Sequence, residues 1–228
     1  MKALFRACLI DAAMRLIELN HVIEAGMVTY KGLPAPIICD YWSREASRAN
    51  YAPGTEFQIG RIDMVANTGT YLDTPFHRYA DGADLSEVPL GAVTALPGVV
   101  VRSDATAITA AAFMGLDLRG RAVLVHTGWD RHWRTDAYFG DHPFLTEDAA
   151  IALRDAGAAL VGIDSHNIDN TAGGTRPVHT ILLGAQIPIV EHLTNLGALP
   201  AAGFTFNAPP PRIRGMGTFP VRAHALIA

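Results

Sequence analysis

Asn67-Thr68-Gly69-Thr70-Tyr71-Leu72-Asp73-Thr74-Pro75-Phe76-His77 sets a carboxylate and an imidazole four residues apart in a stretch punctuated by glycine and proline. Gly69 permits a positive φ or a close approach of backbone to ligand. Pro75 pushes Thr74 toward extended geometry and bars a continuous helix, so Asp73 and His77 do not share a helix face. The expectation is a rigid loop that aims two reactive side chains, as catalytic loops commonly do. Taken alone, the stretch reads equally well as an ordinary turn with an Asx cap and a solvated histidine.

Upstream, Phe57 to Ala66 reads as a strand with Ile62, Met64 and Ala66 on one face and Arg61, Asp63 and Val65 on the other. Gly26 to Pro36 is a long loop carrying Met27, Tyr30 and Leu33, a candidate pocket wall. Residues 41–54 are polar and irregular, and Arg15 to Val22 partly alternates as a first strand. Downstream, Gly98 to Val101 and Arg121 to His126 read as buried strands. Thr106 to Phe113 suggests a helix capped by Asp104. Thr146 to Ala156 is a helix with Glu147 and Asp148 in its first turn and Gly157 as its stop. Ala158 to Ile163 is a β run, 164–176 a polar loop, and Pro177 opens a helix bearing His179, Leu182 and Leu183. Ile187 to Val190 delivers Glu191, and Phe204 to Asn207 and Pro220 to Ile227 look like closing strands. Strands and helices mix without strict alternation, which predicts an α/β fold on a mixed sheet.

A chain of 228 residues is long enough for one sizeable core, so residues 15–228 are expected to form a single catalytic domain behind an N-terminal extension at 1–14. The net charge of −4 comes without any Lys/Arg cluster, which argues against nucleic acid as a partner. Arg6 and Asp11 interrupt the first apolar run too early for a signal peptide, and no apolar stretch is long enough to span a membrane. Cys8 and Cys39 give neither a disulfide framework nor metal-knuckle spacing, so a reducing cytoplasm is the expected location.

Asp73, His77, His179 and Glu191 come from two distant stretches, each beside a strand end and a turn. Such a set can ligate a divalent metal or transfer protons. Each residue also has a plainer role open to it: an Asx cap, a hydrogen-bonded loop histidine, a helix-face histidine, a helix-start carboxylate. Tyr30, Phe76, Trp129 and Trp133 suggest a pocket for an aromatic or flat apolar molecule, although each would serve equally as a core or interface aromatic.

The chain resembles the cyclase family that includes bacterial kynurenine formamidase and isatin hydrolase. The hallmark of that family is His-x-Gly-Thr-His-x-Asp-x-Pro-x-His, matched here by Asn67-x-Gly69-Thr70-Tyr71-x-Asp73-x-Pro75-x-His77. Further matches are Leu118-Arg119-Gly120-Arg121, Thr127-Gly128-Trp129, Gly162-Ile163-Asp164, His179, the run Ile189 to Leu196, and Pro220-Val221-Arg222-Ala223. The resemblance covers roughly residues 15–228. It implies a swivelling β/β/α fold, a homodimer or larger homo-oligomer, and a metal-dependent hydrolase that opens a small amide, lactam or ester. It also implies that the two leading histidines and the Asp hold a metal, while the last histidine and the positions of His179 and Glu191 form a second metal site or move protons.

Both leading histidines are replaced, by Asn67 and Tyr71. An amide is a poor ligand for Zn or Mn, and a phenol must lose a proton near pKa 10 to become one. The usual first site is therefore expected to be lost. Any ion is expected instead on Asp73, His77 and Glu191, with His179 as proton shuttle. The alternative is a metal-free lyase, dehydratase or cyclase, in which His77 and His179 move protons, Asp73 and Glu191 orient them, and Tyr71 and Asn67 donate to an oxyanion. A non-catalytic binding protein on the same fold is the third reading.

Overall fold

The computed structural model describes residues 14–228, so the expected extension falls, apart from Met14, outside the described residues. Strand β1 (Arg15–Glu18) opens the chain. Strands β2 (Ile37–Trp42) and β3 (Ile59–Asp63) form a separate antiparallel ribbon, with the short helix α1 (Arg44–Ser47) between them. Strand β4 (Tyr71–Asp73) lies inside the hallmark stretch. It is followed by β5 (Leu96–Arg102), β6 (Ala107–Ile108), β7 (Ala122–His126), β8 (Phe144–Leu145), helix α2 (Glu147–Ala156) and β9 (Leu160–Ile163). Helix α3 (Pro177–Gly184) precedes β10 (Ile189–Glu191), and β11 (Ala202–Asn207), β12 (Thr218–Pro220) and β13 (His224–Ile227) close the chain.

Among the described residues, nine strands form one mixed sheet in the order β1-β13-β11-β5-β7-β9-β10-β4-β12. The middle strands β5, β7, β9 and β10 run parallel, and the flanking pairs are antiparallel. The parallel strands are covered on both faces and read as nearly unbroken apolar runs for that reason. Their alternate residues feed two cores. Val123, Val125, Val161, Ile163 and Ile189 pack with Leu153 of α2 and Leu182 and Leu183 of α3. Ala122, Leu124, Leu160, Leu72 and Val190 face the opposite core with Leu19, Phe204 and Phe206.

The mixed sheet, the α2 stop at Gly157 (φ 77°) and Pro177 in the first turn of α3 agree with the sequence reading. Three elements differ. Tyr71–Asp73 is a fully buried strand paired on both sides, not part of a loop, because the turns at Gly69 and Pro75 bracket a segment just long enough to join the sheet. Thr106 to Phe113 is not a helix: Ala107–Ile108 pairs with Phe144–Leu145, and a 3-10 turn over Ala110–Phe113 follows, with Asp148 rather than Asp104 accepting from Ala110 N–H. Ile37–Trp42 is a strand where no regular element was expected. Its partner β3 is exposed along its whole length, so the two expected faces of Phe57 to Ala66 are not divided between core and solvent. An unburied ribbon has no buried face to impose a period on its sequence.

Candidate active site

Side chains alternate along a strand, so Tyr71 and Asp73 of β4 project to the same face while Leu72 points into the opposite core. Register then assembles the site: Glu191 lies opposite Tyr71, Ile189 opposite Asp73, and Thr218 of β12 opposite Asp73 on its other side. Helix α3 packs beside β10 and turns His179 inward with Val178, Leu182 and Leu183. His77 arrives on the 3-10 turn Pro75–His77, which begins where Pro75 holds Thr74 extended at φ −108° and ψ 168°. Gly217 lies beneath this turn, where a Cβ would stand 2.3 Å from His77 N.

His77, His179, Glu191, Tyr71, Asn67 and Tyr30 line one cavity of about 270 Å³, together with Leu33, Arg78, Asn167 and Arg176, and the buried Asp73 stands just behind this lining, within 4 Å of His77 and His179. The two distant stretches thus converge. Phe76 and Trp129 lie outside this lining: Trp129 donates its indole N–H to Tyr138 O at 3.1 Å and packs against His132. Trp133 also lies outside, stacked on His21 with centroids 4.0 Å apart. The family-like Gly162-Ile163-Asp164 and Thr127-Gly128-Trp129 segments meet structurally, with Asp164 accepting from Thr127 N, Thr127 Oγ1 and Gly128 N at 2.7–2.9 Å.

The hydrogen bonds fix the ring tautomers. Asp169 accepts from the N–H groups of Val178 and His179 and lies 2.6 Å from His179 Nδ1, so a neutral His179 carries its proton on Nδ1 and turns a bare Nε2 toward the cavity. Thr218 has one hydroxyl proton and two neighbours, Asp73 Oδ1 at 2.6 Å and His77 Nδ1 at 2.9 Å. Ionised Asp73 can only accept, so the hydroxyl donates to Asp73 and accepts from His77 Nδ1–H, leaving His77 Nε2 bare as well.

Asp73 Oδ2 is buried and has no hydrogen-bond partner. It stands 3.7 Å from His179 Nε2, and Asp73 Oδ1 is 3.9 Å from His77 Nε2. A buried carboxylate with one unsatisfied oxygen, flanked by the Nε2 atoms of His179 and His77, fits a divalent cation, and donor atoms of Asp73, His77 and His179 all lie within 4.8 Å of one another.

Glu191 is placed differently. Its Oε2 accepts from Tyr71 Oη at 2.6 Å, and its Oε1 accepts from Ile168 N at 2.6 Å and lies 3.7 Å from His179 Nε2. Both oxygens are already engaged. His179 therefore stands in the donor set where the sequence suggested Glu191. Tyr71 donates its hydrogen bond to Glu191, not to Asp73, and burial together with the Glu191 charge holds its phenol well above the usual tyrosine value. Burial lifts Glu191 to about 7 against the opposing charge of His179. For His179, burial lowers the pKa, but the bond to Asp169 and the nearby carboxylates of Asp73 and Glu191 outweigh it and raise it to about 10.

Sequence reasoning missed Asp169, Thr218, Asn167, Arg78 and Arg176. Asp169 and Asn167 lie in the 164–176 stretch, whose polarity suggested a solvated loop, yet Asp164 to Asp169 are buried. Behind Tyr71, His192, Tyr138, His166 and Trp133 form a packed aromatic cluster. Nothing in the sequence spacing signals it.

The chain matches the Cyclase family, described as Putative cyclase, over residues 17–170. It is 28% identical over 179 residues to the kynurenine formamidase of Geobacillus thermodenitrificans (strain NG80-2), covering 78% of this chain and 84% of that one. A potential metal-dependent hydrolase with cyclase activity superposes with a TM-score of 0.78 at 26% identity, over 95% of this chain and 99% of the other. Isatin hydrolase A from Labrenzia aggregata, at 22% identity, shares the fold with a TM-score of 0.80 over 96% of each chain. The match spans more than half of the sequence and includes the strand that carries Asp73: the chain belongs to the Cyclase family.

Proposed function

We propose that the protein is a metal-assisted hydrolase that opens a small amide, lactam or ester, with one divalent ion, Zn or Mn, on Asp73, His77 and His179. The observation that carries this reading is the buried Asp73 carboxylate, its Oδ2 unpartnered, flanked by two imidazoles whose other nitrogens are held by Asp169 and Thr218. The kynurenine formamidase and metal-dependent hydrolase relatives support the reaction class. Two imidazoles and a carboxylate form a donor set that leaves room for water and substrate. Such an ion supplies Lewis acidity toward the scissile carbonyl and acidifies a water.

The chain's own groups do the rest. Glu191 accepts a proton from the attacking water and returns it to the leaving nitrogen or oxygen, while Tyr71 and Ile168 N–H hold its carboxylate in place. Tyr30, fixed by its bonds to His166 O and Asn167, and Leu33 give the cavity an apolar wall suited to a flat or aromatic substrate. Asn67 reaches the same cavity and supplies an amide for substrate hydrogen bonds.

A homodimer or larger assembly belongs to the same proposal. Ile37, Ile38, Tyr41, Phe57, Ile59 and Ile62 stand exposed on and beside the β2–β3 ribbon, and Leu33 is exposed as well, an apolar area that a lone chain would leave in water, whereas Met27 is buried and Phe76 half-buried.

The test is elemental analysis of protein purified without added metal, with hydrolysis of N-formylanilide and isatin-type substrates measured before chelation, after it, and after metal is restored. About one ion per chain and activity that follows it are expected. Activity untouched by chelation would move the chemistry to proton transfer by His77, His179 and Glu191 alone.

A further inference from the structure

Two cations on the cavity wall have no part in the hydrolytic chemistry. Arg78 and Arg176 both line the cavity, and among the described residues neither is within ion-pair distance of a carboxylate, whereas Arg48, Arg121, Arg134, Arg154 and Arg222 each are. Both are anchored at the start of α3. Arg176 Nη1 donates to the carbonyls of Asn170, Gly173 and Thr175 at 3.2, 2.8 and 2.7 Å. Arg78 Nε donates to Thr180 Oγ1 at 3.2 Å, and that hydroxyl donates in turn to Arg176 O at 2.7 Å. Each guanidinium is thus held through one nitrogen, and its remaining N–H groups make no hydrogen bond among the described residues.

Glu191 of this cavity and Asp73 just behind its lining are almost wholly buried, whereas Arg78 is exposed and Arg176 half-buried. Charge is therefore divided by depth, with acids at the floor and guanidiniums at the rim. An anionic group on an entering molecule is attracted to the guanidiniums at the rim, which orients the molecule before any chemistry. A guanidinium fork matches a planar carboxylate with two parallel hydrogen bonds. The volume of about 270 Å³, with Tyr30, Leu33 and Tyr71 as apolar walls, suits a compound of about one ring.

We propose that Arg78 and Arg176 form a carboxylate subsite, so that the substrate is a small anion whose carboxylate sits at the rim and whose scissile carbonyl lies over Asp73, His77 and His179. This names the substrate class of the hydrolase proposed above and rests on that reading for the word substrate; anion binding at the rim does not depend on turnover.

The test is calorimetric titration of the full chain, metal-loaded and chelated, with 2-aminobenzoate and with 2-aminobenzamide, two probes of similar shape that differ in charge. The wild type should bind the carboxylate about tenfold or more tightly than the amide in both forms. Arg176→Gln and Arg78→Gln should each bring the two affinities to within roughly threefold while leaving the amide's affinity unchanged. Two partly exposed side chains make two independent variants, and thermal melting confirms that each is folded. Equal wild-type affinities would overturn the proposal. So would a preference that survives both substitutions, or one that vanishes on chelation yet survives them, since the carboxylate would then sit on the floor ion. Persistent carboxylate preference without turnover of any amide, lactam or ester would refute the hydrolase reading and uphold the subsite.

Discussion

Asp169→Asn should uncouple His179 from its place in the donor set without changing the size of the side chain. The native carboxylate accepts three bonds at once, from Val178 N at 2.8 Å, His179 N at 3.0 Å and His179 Nδ1 at 2.6 Å. Asparagine has one acceptor oxygen. If that oxygen stays with the first turn of α3, the amide NH₂ faces His179 Nδ1 and forces the ring into its other tautomer, which puts a proton on the Nε2 that faces Asp73. The cavity then meets an N–H donor where a cation needs a lone pair. Loss of such an outer-shell carboxylate typically lowers metal affinity about 10–100-fold. Breaking a buried pair costs about 3–5 kcal/mol, and at roughly 2–4 °C per kcal/mol for a chain of this length the Tm of the metal-free protein should fall by about 6–20 °C. Metal affinity is read by competition with a chromophoric chelator, Tm by calorimetry, and the tautomer by nitrogen chemical shifts of His179. An Asp169→Asn variant that keeps wild-type metal affinity and an unprotonated Nε2 would refute the assignment of His179 as a ligand.

Three further outcomes are expected. Tyr71→Phe removes a 2.6 Å bond to a buried carboxylate and leaves Glu191 Oε2 with Asn167 at 3.4 Å, so it should destabilise the chain by about 1.5–3 kcal/mol in urea titrations, whereas restoring histidine at both 67 and 71 should raise the metal content toward two ions per chain; an unchanged metal ratio would count against the lost first site. Gly217→Ala places a methyl group 2.3 Å from His77 N and 2.6 Å from its Cα, so hydrolysis should fall by about a hundredfold with far-ultraviolet circular dichroism unchanged, and wild-type activity would show that the 75–77 turn does not have to hold His77 in place. Burial holds His21 near 4, His166 near 3 and His192 well below its usual value, so above pH 6.5 these groups are neutral folded or unfolded. Below 6.5 only the unfolded chain takes up their protons and stability falls. Glu191, lifted to about 7, takes up its proton in the folded state first and opposes part of this, while His142, also lowered by burial, adds to it; a urea midpoint that does not move between pH 6.5 and 5 would contradict this.

Much of the protein was legible from residues alone because the signals were local. Apolar runs such as Ala122 to Val125, the glycine that ends α2 and the proline that starts α3 act through backbone preference and burial over a few residues. The same reading found Asp73, His77, His179 and Glu191 because reactive side chains beside turns stand out, and the loss of the two leading histidines was visible as a change of residue type. Which of those residues face one another was not local. Asp73 is buried beside His77 and His179 because β4 pairs with β10 and β12, a register that sets Thr218 beside it from 145 residues away. Glu191 is occupied because Tyr71 lies directly across the sheet and donates a hydrogen bond to it. Asp169, Arg78 and Arg176 gave no sequence signal, since an acid or arginine in a polar loop has no period to betray it. Only the packing of the 164–176 segment and α3 against the sheet decides that the carboxylate is buried against an imidazole and the guanidiniums are left at the rim.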